Sequence, residues 1–327
     1  MQLSLIIISH RPELLRRCLA SLEASGCAEA EVLVALNGLG ADAPALAREL
    51  AARWPRATVL DLPRSSRGAA RNLAVARSGG EILYFLDDDV VVPPGFCAKV
   101  LRTFARHPEV GYAGGPNLGT PEATDFQLAA DAVLSSAWGA GPMRVRYAAG
   151  GAERLMSSWG FMLCNLGVRR EVFFADGLAF PESCVSAEEN LLLYRAERRR
   201  GLGLFSPELH VYHVRRSGLA GFCHQAFQSG AGRMQITRMA PGSLQPVTVL
   251  PPAGLAYLVF LALGPRTTAC WAAPALYACV CCAEALRLLW RTRRPAAAAW
   301  LPLLMLCGHL SYALGMVFGL RLPLTRT

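Results

Sequence analysis

Leu83-Tyr-Phe-Leu-Asp87-Asp88-Asp89-Val-Val-Val-Pro93 is an apolar run that ends in three adjacent carboxylates. A continuous apolar stretch of this length predicts a strand buried on both faces, here Glu81–Leu86. Three neighbouring carboxylates repel one another and lose hydration when brought together. A divalent cation held by oxygen ligands relieves that cost. Alternate residues of the run, Asp87 and Asp89, can turn to one side and share one cation with a diphosphate. Asp-x-Asp is also common in solvated loops. What singles this one out is its position, since ligands of parallel α/β sheets bind beyond the carboxyl ends of the strands.

The sequence before the triplet repeats the strand-then-helix pattern. Leu3–Ser9 predicts a second doubly buried strand, and Pro12 suits the first turn of a helix running to about Ala24. Glu31–Leu36 and Ala57–Leu62 predict strands, while Pro44–Trp54 and Gly68–Arg77 predict helices. Alternation at such short spacing predicts an α/β fold with a doubly wound, mostly parallel sheet. Further along, Ala123–Trp138 suits a helix and Gly139–Gly151 a loop. Asn165–Val168 and His210–Val214 predict short strands. Ala187–Arg200 predicts an amphipathic helix ended by Gly201, and Leu219–Ser229 a helix closed by Gly230.

From Val247 onward the composition changes. The chain of 327 residues is 53% hydrophobic, and the excess lies in this tail. Three segments are candidates for crossing a membrane: Val249–Leu263, Thr268–Trp290 and Ala296–Leu320. The first is short and opens on Pro251–Pro252, so it either forms a hairpin with the second or stays at the interface. Arg291, Arg293 and Arg294 separate the last two, and clustered arginines favour the cytoplasmic side. The division expected is a catalytic domain over 1–240 and a membrane anchor of two or three spans over 247–322.

A net charge of +9, carried almost wholly by arginine, suits an anionic membrane surface or anionic substrate. Nucleic acid is the weaker reading, because no basic helix with interleaved aromatics occurs. Eleven cysteines, five of them in the apolar tail, predict reduced thiols and no disulfide framework. Leu3–Ile8 is too short for a secretory leader and follows no basic stretch, so the expectation is a cytoplasmic catalytic domain at the inner (plasma) membrane.

The motifs together resemble family 2 glycosyltransferases of the GT-A fold. Gly68-Ala-Ala-Arg71-Asn72 resembles that family's glycine- and alanine-containing helix ending in Arg-Asn, and Leu86-Asp87-Asp88-Asp89 its Leu-Asp-x-Asp, over about residues 2–235. The resemblance implies a nucleotide-sugar donor and Mg²⁺ or Mn²⁺ held by Asp89 and Asp87. Ser9, His10 and Arg11 stand where the family's first loop contacts the nucleotide. Arg71, Asp87 and Asp88 would also lie at the donor. One departure concerns the base: the family's second strand usually ends Asp-Asn-Gly, and here Leu36-Asn37-Gly38 stands there. Asn37 then either replaces the missing acceptor or serves only as a turn residue.

Downstream, Ala187-Glu188-Glu189-Asn190 resembles the family's Glu-Asp pair at the start of a helix. Glu189 stands at the position of the catalytic base and Glu188 beside it as support. A base is needed because an acceptor hydroxyl must lose its proton as it attacks the anomeric carbon. Acidic residues at a helix N-terminus are also favoured by the helix dipole alone. His213 corresponds to a histidine in relatives that contacts metal or diphosphate. Arg233 is followed by Met234, not by the tryptophan of processive synthases, which points to transfer of a single sugar. The acceptor expected is lipid-linked or a cell-envelope glycan. The competing readings are a nucleotidyltransferase, for which Ile8–Pro12 lacks a glycine-rich phosphate loop, and a non-catalytic binding protein that kept the fold.

Overall fold

The structure is a computed structural model that describes every residue except 28, 55, 265, 266 and 325–327. The chain divides into two compact units, one of Met1–Leu118 with Ala148–His213, the other of Gly119–Tyr147 with Val214–Leu324.

In the first unit the predicted alternation is present. It begins β1 (Leu3–Ser9), α1 (Pro12–Ala24), β2 (Glu31–Asn37), α2 (Ala43–Arg53), β3 (Ala57–Leu62), α3 (Arg67–Arg77), β4 (Ile82–Asp87). It continues with β5 (Val90–Val91), α4 (Phe96–Arg106), β6 (Tyr112–Gly114) and β7 (Asn117–Gly119). The second unit contributes α5 (Asp125–Ser135) and the short α6 (Ala137–Ala140). The chain then returns with β8 (Arg154–Met156), β9 (Asn165–Arg169), α7 (Arg170–Phe174), α8 (Glu188–Arg200), β10 (Gly203–Phe205) and β11 (Val211–His213).

Among the described residues the main sheet has eight strands in the order β3-β2-β1-β4-β9-β6-β10-β8. The first four are parallel to one another, and β9 runs antiparallel to both its neighbours. Together with the antiparallel β9 and the short β11, the strands legible from sequence are those of the parallel half. Its centre, β1, is apolar on both faces because helices cover both. The edge strand β3 is only partly buried, which leaves its carboxyl end open to solvent. A second sheet joins β5, β11 and β7, and its pairing of His213 with Val90 carries the chain's distant histidine to the end of β4.

The expectation of reduced thiols throughout is corrected at one place. Cys27, after α1, and Cys97, in the first turn of α4, form a disulfide, with Cα atoms 5.5 Å apart. Both side chains are buried in the core, so adjacency created by packing joins residues 70 positions apart.

The second unit is helical. Besides α5 and α6 it contains α9 (Leu219–Met239), α10 (Leu250–Leu263), α11 (Ala272–Thr292) and α12 (Pro295–Gly319). Its segment 119–147 lies well upstream of the compositional change at Val247. The reason is the apolar face of α5: Phe126, Ala129, Ala130 and Val133 share a core with Phe222 and with Leu301, Leu304 and Met305 of α12. The helix expected over Ala123–Trp138 breaks after Ser135 and resumes as α6, which runs two residues into the loop expected over Gly139–Gly151, and that loop holds a 3₁₀ turn over Gly141–Arg146.

The helix expected to stop at Gly230 runs on to Met239. Gly230 is a contact residue, not a stop: a Cβ there would lie 2.1 Å from the Tyr312 carbonyl oxygen, and one on Gly315 would lie 2.0 Å from that of Phe227. The two backbones touch at these glycines, which favour close helix approach despite their cost in helix propensity.

Three helical stretches, Pro246–Leu263, Thr268–Thr292 and Pro295–Gly319, are long and apolar enough to cross a membrane. Leu263 is 84% exposed and Trp290 71%, apolar exposure that a lipid environment would cover.

Candidate active site

The site lies at the carboxyl ends of β1 and β4. Asp87 is the last residue of β4, and Asp88 and Asp89 form the turn into β5. Arg11, in the turn between β1 and α1, faces this cluster. Its Nε donates to Asp88 Oδ2 at 3.2 Å, its Nη2 pairs with the other Asp88 oxygen, and Nη2 also donates to Asp89 Oδ2 at 2.8 Å. Ser9 Oγ donates to Asp88 Oδ2 at 2.7 Å. Both oxygens of Asp88 are therefore taken by β1 and its following turn, and Asp88 fastens β4 to β1. His10, beside them, is exposed.

His213 Nε2 lies 3.1 Å from Asp89 Oδ1. Burial alone would raise the Asp89 carboxyl, but His213 and Arg11 outweigh it and hold the group well below the usual carboxylate range. Asp87 moves the other way. Lost hydration in the cleft pushes its carboxyl up, assisted by Asp89 and opposed by Arg71 and His213. Its side chain keeps 37% of its exposure, so it is the member of the triplet that faces the cleft.

Ligand atoms of Asp87, Cys164 and His213 all lie within 4.8 Å of one another. A carboxylate, a thiol and an imidazole can together ligate a divalent cation, and the neighbouring Asp88 and Asp89 add negative charge for it to neutralise. Cys164 did not stand out in the sequence, because a single cysteine in a chain of eleven carries no spacing signal. The thiol donates to Asn117 Oδ1 at 3.2 Å.

The Gly68–Asn72 motif acts through α3. Ser66 caps this helix by accepting from the Ala69 amide. A Cβ on Gly68 would lie 2.4 Å from the Pro181 carbonyl oxygen, so glycine lets the 180–182 segment lie directly on the helix. Asn72 holds that segment: its Nδ2 donates to Phe180 O at 3.0 Å and its Oδ1 accepts from the Phe180 amide at 2.9 Å. One position earlier, Arg71 pairs with Glu188 and lies 3.4 Å from Asp87 Oδ1. A single guanidinium thus bridges the aspartate cluster and the carboxylates that open α8.

Glu188 and Glu189 are both buried in the first turn of α8. Asn190 Nδ2 donates to Glu189 Oε1 at 2.8 Å. The preceding residue, Ala187, has φ of 61°, in the left-handed region that a side chain disfavours. Strain of this kind is retained where surrounding structure over-determines the backbone, and here it sets the direction in which the pair enters the helix.

Asn37 is spoken for by its own loop. Its Nδ2 donates to Ser65 O at 3.0 Å and its Oδ1 accepts from the Ser65 amide at 2.8 Å. Of the two readings of Asn37, these bonds support the turn residue, bracing the end of β2 against the loop after β3.

Comparison with known proteins agrees with this architecture. The family profile described as glycosyl transferase family 2 matches residues 4–174, more than half of the 327-residue chain. EpsH of Bacillus subtilis (strain 168), described as a glycosyltransferase, is 29% identical over 99 residues, which is 30% of this chain and 29% of EpsH. Among solved structures, the mannosyltransferase PcManGT from Pyrobaculum calidifontis, in complex with GDP-Man and Mn²⁺, superposes with a TM-score of 0.63 at 17% identity. That likeness covers 97% of this chain and 87% of PcManGT. S. aureus TarS 1-349 in complex with UDP-GlcNAc gives a TM-score of 0.51 at 14% identity, over 95% of this chain and 90% of the other. At such identities the structural likeness establishes the shared fold.

Proposed function

Since the chain belongs to glycosyl transferase family 2, we propose that it transfers one sugar, with inversion, from a nucleotide-diphosphate donor to a lipid-linked or cell-envelope glycan acceptor. The observation that carries this reading is the Arg71 bridge, which joins the Asp87 end of the cation-binding cluster to the Glu188 end of the base-bearing helix.

Asp87, Asp89 and His213 would hold Mg²⁺ or Mn²⁺, which when bound offsets the negative charge of the departing diphosphate. Arg11 and Ser9 keep Asp88 in place, and Arg11 adds positive charge on the donor side. Arg71 orients Glu188 and limits repulsion between the two carboxylate groups. Glu189 takes the proton of the acceptor hydroxyl as that oxygen attacks the anomeric carbon. One base and a charge-stabilised leaving group suffice for a single displacement, which inverts the anomeric centre. The neighbours solved with GDP-Man or UDP-GlcNAc support a nucleotide-sugar donor. Residues 1–240 are the catalytic part in this proposal, and 247–322 anchor it to the plasma membrane. The Arg291–Arg294 loop supports a cytoplasmic catalytic face.

The test is sugar transfer by full-length protein in detergent, with Mn²⁺ or with EDTA, for wild type and Glu189→Gln. The expected result is metal-dependent transfer that falls by about 10²–10⁴-fold in Glu189→Gln, with donor binding retained. Undiminished transfer by Glu189→Gln, or by wild type in EDTA, would remove the mechanism. Wild type that binds donor and never transfers would favour the binding-protein reading.

A further inference from the structure

A cavity of about 470 Å³ opens at the carboxyl ends of β2 and β3, lined by Gly38, Gly40, Asp61, Leu62, Pro63 and Arg64. Its position follows from strand register. Asp61 of β3 stands opposite Leu36 of β2, and Leu36 stands opposite Ser9 of β1. The three form one row across the sheet edge. Neighbouring strands lie about 4.8 Å apart, so the Asp61 and Ser9 backbones are roughly 10 Å apart. Ser9 in turn bonds Asp88 in the cation cluster. The distance from cluster to Asp61 is therefore of the order that a nucleoside spans between its phosphates and the far edge of its base.

The chemistry of this row is distinctive. Leu36 is fully buried in the core and offers no polar atom, and both polar groups of Asn37 are taken by Ser65. The strand that would ordinarily present an acceptor at this edge has none to present. On the adjacent strand, at the register partner of Leu36, Asp61 is exposed and lines the cavity. Gly38, with φ of +82°, permits the approach of the opposite wall, since a Cβ there would lie 2.9 Å from Arg64 Cβ.

Resting on the donor reading above, we infer that Asp61 recognises the donor's base and selects bases whose ring nitrogen carries a hydrogen. A carboxylate only accepts hydrogen bonds. Uracil presents one ring N–H, and guanine presents a ring N–H beside an amino group, which a carboxylate can accept together. Adenine and cytosine present an unprotonated ring nitrogen on the same edge, whose lone pair repels the carboxylate. Arg64, on the same cavity wall, can donate to the carbonyl oxygens that guanine and uracil carry. The base-reading carboxylate has thus moved from the second strand to the third.

The experiment is calorimetric titration of the full-length protein in detergent with GDP, UDP, IDP, ADP and CDP in the presence of Mn²⁺. For wild type, GDP or UDP should bind at least about tenfold more tightly than ADP and CDP. IDP lacks the guanine amino group, so its affinity relative to GDP separates one accepted bond from two. Asp61→Ala should lose that discrimination, and Asp61→Asn, whose amide can donate, should gain affinity for ADP or CDP. Affinity for inorganic pyrophosphate should stay unchanged in both variants. Because Asp61 is exposed at the end of an edge strand, both variants should fold. An unaltered base ranking in both variants, or wild type binding ADP or CDP as tightly as GDP and UDP, overturns this inference alone. Failure of every nucleotide to bind wild type overturns the donor reading with it.

Discussion

Arg71 and Glu188 form an ion pair between residues 117 positions apart, with side chains only 6% and 4% exposed. Charges so deeply buried persist only when paired. The pair does two things at once: it holds the start of α8 against α3, and through the same guanidinium it ties that helix to Asp87. Removing one partner strands the other. Arg71→Ala should therefore cost about 3–5 kcal/mol of stability, as breaking buried pairs does. Arg71→Met combined with Glu188→Leu should recover much of the loss while transfer stays abolished. Urea unfolding alongside transfer assays checks both halves, and a stable, active Arg71→Ala would contradict them.

Acid should weaken the aspartate cluster in a defined direction. Asp89 holds its proton less tightly folded than unfolded, because His213 and Arg11 outweigh the effect of burial. Its contribution is thus fully present above the ordinary carboxyl value near about 3.9 and is lost as pH falls through the depressed folded value. In metal-free buffer, Arg11→Met should lower stability at neutral pH by about 2 kcal/mol and shift acid unfolding to higher pH. The difference between wild type and Arg11→Met should shrink once Asp89 is protonated in both. A pH titration followed by circular dichroism measures it.

The left-handed Ala187 should tolerate glycine and resist branching. Ala187→Gly relieves roughly 1 kcal/mol of backbone strain, partly offset by the greater freedom of glycine in the unfolded chain. Stability should stay level or rise, with transfer retained. Ala187→Val should lose stability and transfer together, because relaxing the backbone there redirects Glu188 and Glu189. Unfolding midpoints and initial rates for the two variants decide the matter.

Close contact between α9 and α12 should make their glycines intolerant of even one methyl group. Gly230→Ala and Gly315→Ala each place a carbon against a carbonyl oxygen of the facing helix. Overpacking of this kind costs about 1–3 kcal/mol. Thermal inactivation in detergent should accelerate for both variants, whereas Gly254→Ala, where added atoms meet open space, should behave as wild type.

Thiol counting tests the Cys27–Cys97 bond and the compartment together. Denatured protein purified without reductant should show nine reactive thiols, and eleven after reduction. Reduction should lower stability by about 2–4 kcal/mol. Eleven thiols before reduction, in protein trapped by rapid alkylation of cells, is the outcome a reducing cytoplasm produces. Nine would place the catalytic unit on an oxidising side.

Local sequence is enough to specify the parallel half of the sheet, the helices between its strands, the short strands β9 and β11, and the carboxylates at the sheet edge. β4 is an unbroken apolar run up to Asp87 and β1 is broken only by Ser4 before it ends at Ser9, and burial on both faces needs little information beyond such runs. Glu188 and Glu189 were legible because a helix start and a family motif both mark them. Tertiary structure alone decided what those residues do to one another. β6, β8 and β10 have three residues each, too short to show a period, and they exist because neighbouring strands supply their hydrogen bonds. Gly230 read as a stop and proved to be a contact, because only the facing backbone of α12 reveals why a side chain is missing. The Arg71 bridge, the Cys27–Cys97 bond and the Leu36–Asp61 register all join segments distant in sequence. Apolar periodicity is a property of neighbours along the chain. Charge pairing and strand register are properties of neighbours in space, and those neighbours meet only when the sheet has formed.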